Sequence, residues 1–523
     1  MKNYGRDFLA DLKSGFLVFL IALPLCLGIA IASGFPAIGG IITAVVGGIF
    51  ASFLGSARLT IKGPAAGLIV IVVAAVAELG QGDISVGYHR ALAVGVAAAL
   101  LQMLFAFFRV ANLGISISKS VVHGMLAAIG VIIISKQIHV ALGVKPQSKE
   151  IFDLILEIPH SIANANPLIA TIALGSFLLL ILWPKIKSPI TKIIPAQIVI
   201  LAIAIPLTIA LKFNEPHSYD LFSRTYAIDS HYLVQLPLSI MSSLAFPDFS
   251  AIFTGTSIKY IIMFALVGMI ESTLTVVAID NLDHRKRASN LNKDLFALSC
   301  GNLLSALLGG LPMISEIVRS KANVDNGATS PRSNFFHGVF LLLFVAFLPD
   351  LLDEIPLSAL AAMLIFVGTR LASPAELVHA KHVGNDQLIL FTTTLVTTLA
   401  TDLLTGVAAG LALKIILHLA RGVTLRDLFA TKIDVLHQGT KARFTMHGAA
   451  AFPNLFKLRS LLNKMPENIN EVTIDLTKAR LIDHTFLSGI KNITNEKAAV
   501  HFKFHGIENF IAISNHPEST RWA

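Results

Sequence analysis

Three side chains in this sequence carry charge where their neighbours are almost all apolar. Glu271 stands near the middle of IIMFALVGMIESTLTVVAI, and Glu316 and Arg319 sit three residues apart in GGLPMISEIVRS, Gly309 to Ser320. At bilayer depth an ionised side chain costs about 2.5–3.5 kcal/mol even on lenient insertion scales, so such groups pair with one another or serve an ion or substrate path. Residues three apart share one helical face, which leaves two readings of Glu316 and Arg319 open: an internal ion pair, or a part in moving a solute. Ser272 and Thr275 follow Glu271. A helical hydroxyl commonly bonds back to its own helix, which suffices for Ser272 and leaves Thr275 open as a ligand.

A second stretch, IKGPAAGLIVIV from Ile61 to Val72, puts Lys62 and a Gly-Pro pair before an apolar run barely long enough to cross a membrane. A full crossing needs ~20 apolar helical residues. A helix that begins inside the membrane directs unpaired N–H groups and the positive end of its dipole into the cavity it faces, and such an end binds anions. Two of these, one after Gly63-Pro64 and one after Pro312, would make a positively polarised pocket with few full charges. Lys62 itself reads as an interfacial anchor whose ammonium snorkels to the surface.

These residues need a scaffold that spans a membrane, and the composition supplies one. Of 523 residues, 54% are hydrophobic and 14% charged, against ~25% charged in soluble domains, and mean hydropathy is +0.73. The N-terminal MKNYGRDFLADLKSG enters its apolar run without a small-residue cleavage site, so the first span is expected to be retained. About fourteen apolar runs follow, near 15–33, 37–54, 64–79, 89–109, 121–142, 168–184, 194–212, 258–280, 294–309, 312–322, 334–348, 357–372, 387–402 and 404–421. An even count puts both termini on one side.

With that side cytoplasmic, the inner connections collect Arg58, Lys62, Arg109, Lys119, Lys185, Lys187, Lys192, the DHRKR stretch from Asp283 to Arg287, Lys321, Arg332, Arg370 and Lys381. This is what positive-inside orientation requires. Outer loops at 143–167 and 213–257 carry Glu150, Asp153, Glu157 and Asp220 with fewer bases. The net charge of +9 therefore follows from topology, and bases so dispersed call for no nucleic-acid partner. Cys26 and Cys300 both lie in apolar surroundings, which argues against a disulfide framework or a thiolate metal site. No nucleophile–base pair, metal-ligand cluster or phosphate loop is present, so neither an enzyme nor a cofactor is expected. His284, His379 and His382 show no ligand spacing.

Beyond Arg421 the pattern changes. NEVTIDLTKARLIDHTFLSGIKNI holds a β-branched run, Val472 to Leu476, then a turn and apolar residues at helical spacing, and AAVHFKFHG is another strand-like run. The expectation is a membrane domain over 1–425 and a small α/β domain over 434–523 that leans on it for stability. Within the membrane domain, Pro24 precedes Pro64 by nearly the distance at which Glu271 precedes Pro312. About seven spans in each of two repeats, near 15–212 and 258–421, make the second inverted relative to the first. Gly/Pro-interrupted segments paired in this way point to a site at the bilayer midplane.

The stretches ALPLCLGIAIASG from Ala22, GSARLTIKGPAAG from Gly55, VVHGMLAAIGVIII from Val121, GNLLSALLGGLP from Gly301 and TDLLTGVAAGL from Thr401 resemble the SulP family of inorganic anion transporters. That family includes sulfate permeases and bicarbonate carriers. The tail VTIDLTKARLIDHTFLSGI resembles its STAS domain. The resemblance implies an α-helical polytopic protein of fourteen spans in two inverted seven-span repeats, with a core domain moving against a gate domain and a STAS-like cytoplasmic domain. It also implies a homodimer in the inner or plasma membrane with both termini cytoplasmic.

Carried over residue by residue, the resemblance places the anion at Gly63, Pro64, Ala65 and Ala66 and at Met313, Ile314 and Ser315, with Arg319 as the basic residue of the tenth span. It puts a cation-coupling acid at Glu271 with Thr275 one turn on. A sodium-coupled relative has aspartate where this chain has Glu271, which leaves proton and sodium coupling both open. Glu316 stands where small residues are common and joins the coupling group. Asp483 is followed by His484 and Thr485 where a phosphorylatable serine is frequent, so phosphorylation is not expected to regulate this tail.

The function expected is secondary-active carriage of a small inorganic oxyanion, sulfate or bicarbonate, by symport with a proton or a sodium ion. Two alternatives stay open. A nucleobase-type proton symporter places glutamates in the eighth and tenth spans, as Glu271 and Glu316 stand here. An anion channel would use the same helix ends without needing a midspan acid. An anion cannot settle beside two ionised glutamates, because at ~6 Å one like-charge pair costs ~3 kcal/mol at an effective dielectric of ~20. One of the two is therefore expected to hold a proton when the anion is bound, with Glu271 the titrating group, unless sodium at Glu271 and Thr275 neutralises it.

Overall fold

The computed structural model describes residues 2–111, 118–148, 150–188, 191, 194–221, 224–235, 244–285, 287–466, 468–496 and 500–523. Lys192 and Lys286 of the basic connections, Ala498 and Ala499 of the last strand-like run, and parts of the 213–257 loop lie outside them. The chain packs as two compact units, Met1–Ala111 with Ile129–Arg370, and Asn112–Ala128 with Leu371–Ala523.

Among the described residues the first unit is helical apart from two short ribbons. It runs α1 (Lys2–Ala32), α2 (Ala37–Ile49), β1 (Ile61–Pro64), α3 (Ile69–Gly80), α4 (Ile84–Phe107), α5 (Lys119–Ala141, shared between the units), α6 (Ile151–Ala163), α7 (Pro167–Leu182) and α8 (Ala196–Ala210). It continues with β2 (His217–Leu221), β3 (Arg224–Ile228), α9 (Gly255–Leu282), α10 (Leu291–Leu307), β4 (Met313–Glu316), α11 (Ile317–Asp325), α12 (Arg332–Phe347), α13 (Pro349–Asp353) and α14 (Leu357–Leu371).

Seven helical stretches among the described residues are long and apolar enough to cross a bilayer, and Ala37–Phe50, Ala66–Gly80, Ala196–Ala210 and Arg332–Phe347 are shorter apolar helices. Every apolar run of the sequence meets a helix, but the third and tenth are preceded by strands. The reason is local: Gly63-Pro64 and Gly310-Leu311-Pro312 deny the helix its regular N–H ladder.

Side chains fix where the helices start. Asp83 accepts from Ser85 N–H and Val86 N–H at 2.8 and 3.1 Å to open α4, and Asn290 accepts from Asn292 N–H and Lys293 N–H to open α10. Asp11, from α1, accepts from Thr329 N–H and Ser330 N–H at 2.6 and 3.0 Å just before α12. The caps by Asp83 and Asn290 are each worth about 0.5–2 kcal/mol, whereas Asp11 holds the turn before α12, whose own N-cap, Pro331, makes no side-chain bond. The loops at 143–167 and 213–257 hold structure of their own: α6 in the first, and in the second the antiparallel pair β2 and β3, with Tyr219 stacked on Tyr226.

The second unit adds α15 (Pro374–Val383), α16 (Asn385–Ala400), α17 (Leu403–Ala420) and α18 (Leu425–Phe429) before a six-stranded sheet. The sheet elements are β5 (Ile433–Gln438), β6 (Lys441–Ala450), α19 (Phe452–Asn463), β7 (Glu471–Ile482), α20 (His484–Glu496), β8 (His501–His505), β9 (Ile511–Ala512) and β10 (Arg521–Trp522). Central β7 pairs in parallel with β6 and β8, and at its far end antiparallel with β10. Parallel pairing needs crossover helices, which α19 and α20 provide. Phe444, Met446, Leu458, Leu462, Val472, Ile474, Leu476, Phe486 and Ile490 form the core they cover.

This sheet is fastened to α17 by charge. Lys414 Nζ lies 3.0 Å from Asp483 Oδ2, donates to Thr485 Oγ1 at 2.8 Å and sits over the Phe452 ring, with His418 Nε2 3.6 Å from the same carboxylate. His484 and Thr485 are buried, and the His484 ring donates from Nδ1 to Glu518 O at 2.8 Å. Burial alone would push the Asp483 carboxyl up; the Lys414 ammonium, His418 and the Phe486 N–H overcome it and hold the group well below the usual carboxylate range.

Candidate functional site

The two interrupted segments meet each other. β1 and β4 pair antiparallel with Ile61 opposite Glu316, Lys62 opposite Ser315, Gly63 opposite Ile314 and Pro64 opposite Met313, and all eight residues are buried. Ala65 N–H extends the pairing by donating to Pro312 O at 3.3 Å. A short turn of 3-10 helix, Ala66–Leu68, then leads into α3, and β4 leads directly into α11. Each strand therefore delivers its helix start to the same place. The expected residues Gly63, Pro64, Ala65 and Ala66 come together with Met313, Ile314 and Ser315.

Polar side chains inside apolar helices hold this irregular backbone. Asn302 brackets Met313, accepting from its N–H at 2.6 Å and donating to its carbonyl at 3.2 Å, while also donating to Gln102 Oε1 at 3.0 Å. Thr43 Oγ1 accepts from Leu311 N–H at 2.7 Å, and Ser305 donates to Leu311 O at 3.0 Å. Ser315 N–H donates to Ser272 Oγ at 3.2 Å, so Ser272 ties α9 to β4 rather than serving only its own helix. Sequence reasoning passed over Thr43, Gln102, Asn302 and Ser305. Their signal was present: amides and hydroxyls inside apolar runs need partners, and an interrupted backbone is the partner at hand.

Both acids converge on the start of the third segment. The Glu271 carboxylate lies directly against Gly67, so that a Cβ there would overlap it, and its Oε1 has no hydrogen-bond partner among the described residues. Glu316 Oε1 accepts from Ala66 N–H at 3.4 Å, and the two carboxylates are close enough to interact electrostatically. Each residue is 8% exposed. Thr275 is buried on the same helix as Glu271, one turn on.

Arg319 is 1% exposed and is not paired with Glu316. It donates from Nη1 to Cys26 Sγ at 3.4 Å, this nitrogen crowds the Cα of Gly63, and its Nε has no partner among the described residues. Cys26 is thus a neighbour of the guanidinium as well as a small core residue. Neither ring nitrogen of His337, also buried, has a hydrogen-bond partner among the described residues.

Lys62 is a correction. Far from snorkelling, it is buried in an ion pair with Asp294 at 3.1 Å, donates to Thr60 Oγ1 at 3.1 Å and reaches Ser315 Oγ at 3.4 Å. Asp294 also accepts from Ala57 N–H at 3.1 Å.

A cavity of about 10 Å³, room for one water, borders Leu68, Gln102, Asn302 and Met313, and neither acid lines it. No group of three or more His, Cys, Asp or Glu among the described residues is arranged to hold a metal. What the site presents is backbone N–H at a helix start, two carboxyls able to hold or lose a proton, and a guanidinium with donors to spare. That set suits an anion whose charge is balanced by an accompanying cation.

The model of the sulfate permease family matches residues 8–394. YvdB of Bacillus subtilis (strain 168) is 28% identical over 400 residues, 75% of this chain and 70% of that protein. The bicarbonate transporter BicA of Picosynechococcus is 25% identical over 398 residues, 76% of this chain and 67% of that protein. The solved transmembrane domain of a cyanobacterial bicarbonate transporter BicA shares the fold with a TM-score of 0.66 at 24% identity, over 77% of this chain and 97% of the other. The overall structure of SLC26A9 does so with a TM-score of 0.66 at 14% identity, over 95% and 84%.

Proposed function

This chain belongs to the sulfate permease family, a family of transporters and not enzymes, and from that premise we propose that it carries a small inorganic oxyanion, sulfate or bicarbonate, by secondary-active symport. One observation supports this above the rest: β1 and β4 pair, so that two helix starts open side by side within reach of Arg319.

In this reading the anion takes N–H donors at Ala66 and Gly67 and a share of the Arg319 guanidinium, with Gly63, Pro64, Ala65, Met313, Ile314 and Ser315 forming the wall. Glu271 is the coupling group. Its carboxylate stands beside the amides the anion needs and has an oxygen without a partner among the described residues. An ionised Glu271 would repel the substrate, and a proton there removes the repulsion, so anion and proton enter together. A sodium ion held by Glu271 and Thr275 balances the same charge by another route. An open channel would leave this arrangement without a purpose.

The same reading divides the chain into a transport domain over 1–425 and a STAS-like domain over 434–523, with both termini cytoplasmic and the protein a homodimer. The test is uptake of labelled sulfate and of labelled bicarbonate into proteoliposomes, with proton and sodium gradients imposed separately. Accumulation driven by one gradient identifies the coupling ion. Equilibration that ignores both gradients overturns symport.

A further inference from the structure

Glu316 holds a backbone amide that the proposed substrate would need. Its carboxylate accepts from Ala66 N–H, at a helix start that otherwise offers its donors to an incoming anion. The contact, at 3.4 Å, lies beyond the usual range of such bonds and is weak enough to be exchanged. Nothing on its own helix fixes Glu316 in this pose: it stands at the N-cap of α11 with extended backbone, φ −84° and ψ 120°, and its side chain makes no capping bond.

There is also somewhere for the carboxylate to go. Arg319 lies three residues on, is buried, has an Nε without a partner among the described residues and donates from Nη1 to the soft Cys26 sulfur. A guanidinium has five donors, enough to receive Glu316 and still face an anion. The other charged groups around Glu316 are Glu271 on α9, against Gly67, and Lys62 on β1, whose charge is already taken by Asp294. Lys62 is engaged, and Glu271 repels the displaced carboxylate when ionised and offers a single donor when protonated, against the five of the guanidinium, which makes Arg319 the destination.

We infer that the Glu316 carboxylate is a tethered competitor of the transported anion: it occupies the Ala66 amide in this structure, and the anion displaces it toward Arg319 on binding. The inference rests on the anion reading above and makes Glu316 the residue that sets how tightly an anion is held. A carboxylate tied to the protein is present at fixed local concentration, so it weakens every competing anion by the same factor and keeps the carrier from trapping its cargo.

The experiment uses the full chain, with sulfate and bicarbonate as probes, and measures equilibrium binding and half-saturating uptake for the parent, Glu316→Ser and Glu316→Asp. Serine removes the competitor. Aspartate keeps the charge but is one methylene too short to reach Ala66 N–H as Glu316 does. Both variants are expected to bind the transported anion about tenfold more tightly, about 1.4 kcal/mol, and to release it more slowly. Folded variants with unchanged or weaker binding, in a parent that does bind an anion, overturn the competitor alone. Tighter binding by Glu316→Ser but not by Glu316→Asp also overturns it, since the effect is then the field of the charge and not occupancy of the amide. A parent that binds neither anion overturns the functional reading, and this inference with it.

Discussion

Lys62 and Asp294 form an ion pair at 3.1 Å with side chains only 2% and 3% exposed, joining the strand that opens the third segment to the helix before the tenth. A buried pair of this kind is costly to break from one side, because the remaining charge is left without a partner, while joint replacement by apolar groups is often tolerated. Lys62→Met or Asp294→Leu alone is therefore expected to destabilise the chain by about 3–5 kcal/mol, and the double variant to recover most of that loss. Thermal denaturation of the detergent-solubilised protein reads both. A double variant as unstable as either single would mean that the charges do more than neutralise each other.

Gly67 tests the placement of Glu271. A methyl group there meets the far end of the Glu271 side chain and not backbone, so the fold can accommodate Gly67→Ala while the carboxylate is displaced. The expected outcome is normal thermal stability with gradient-driven uptake reduced by at least tenfold, about 1.4 kcal/mol in the limiting step. Full uptake in a stable Gly67→Ala protein would remove Glu271 from the coupling site.

Glu271→Gln separates coupling from conduction. With an amide that cannot give up a proton, the carrier is expected to exchange labelled anion across the membrane and to lose accumulation against a gradient. Uptake measured against external pH without sodium, in parent and variant, decides the point. A parent that requires sodium and ignores a proton gradient assigns the balancing charge to sodium, and a variant that still concentrates substrate with the parent's pH profile assigns coupling elsewhere.

Asp483 governs the attachment of the C-terminal sheet. Its carboxyl is held below the ordinary range, so the stabilisation it contributes is present above its unfolded value of ~3.9 and is lost as pH falls through the lower folded value. Asp483→Asn is expected to lower thermal stability by about 3–5 kcal/mol at neutral pH, by leaving Lys414 buried without its counter-charge. Its stability should also fall less between pH 5 and pH 3 than the parent's. Parallel acid profiles for the two proteins would show that the pair carries no linkage.

Much of this arrangement could be read from composition and punctuation, and the failures have identifiable physical causes. Gly63-Pro64 and Pro312 mark the interrupted segments correctly, since a missing Cβ or N–H acts on the chain locally. The strands before them were invisible because IKGP and MISE are too short to show a period of two. Helical spacing offered Arg319 as the partner of Glu316; the extended backbone at Glu316 turns its side chain off the helical face toward Ala66, so a rule for helix interiors does not apply there. Lys62 looked like a surface anchor because its counter-charge, Asp294, lies in the other half of the chain.

The ribbon joining β1 to β4 also limits how such a protein can be recombined. Each strand satisfies its partner's backbone groups, and Lys62 and Ser315 face each other across it. The halves on either side of the 213–257 loop are thus matched surfaces and not interchangeable modules. A hybrid joining the first half of this protein to the second half of a distant relative would bring together two strand edges that were never selected as a pair. Exchanging 61–64 and 313–316 as a set, together with position 294, keeps that match.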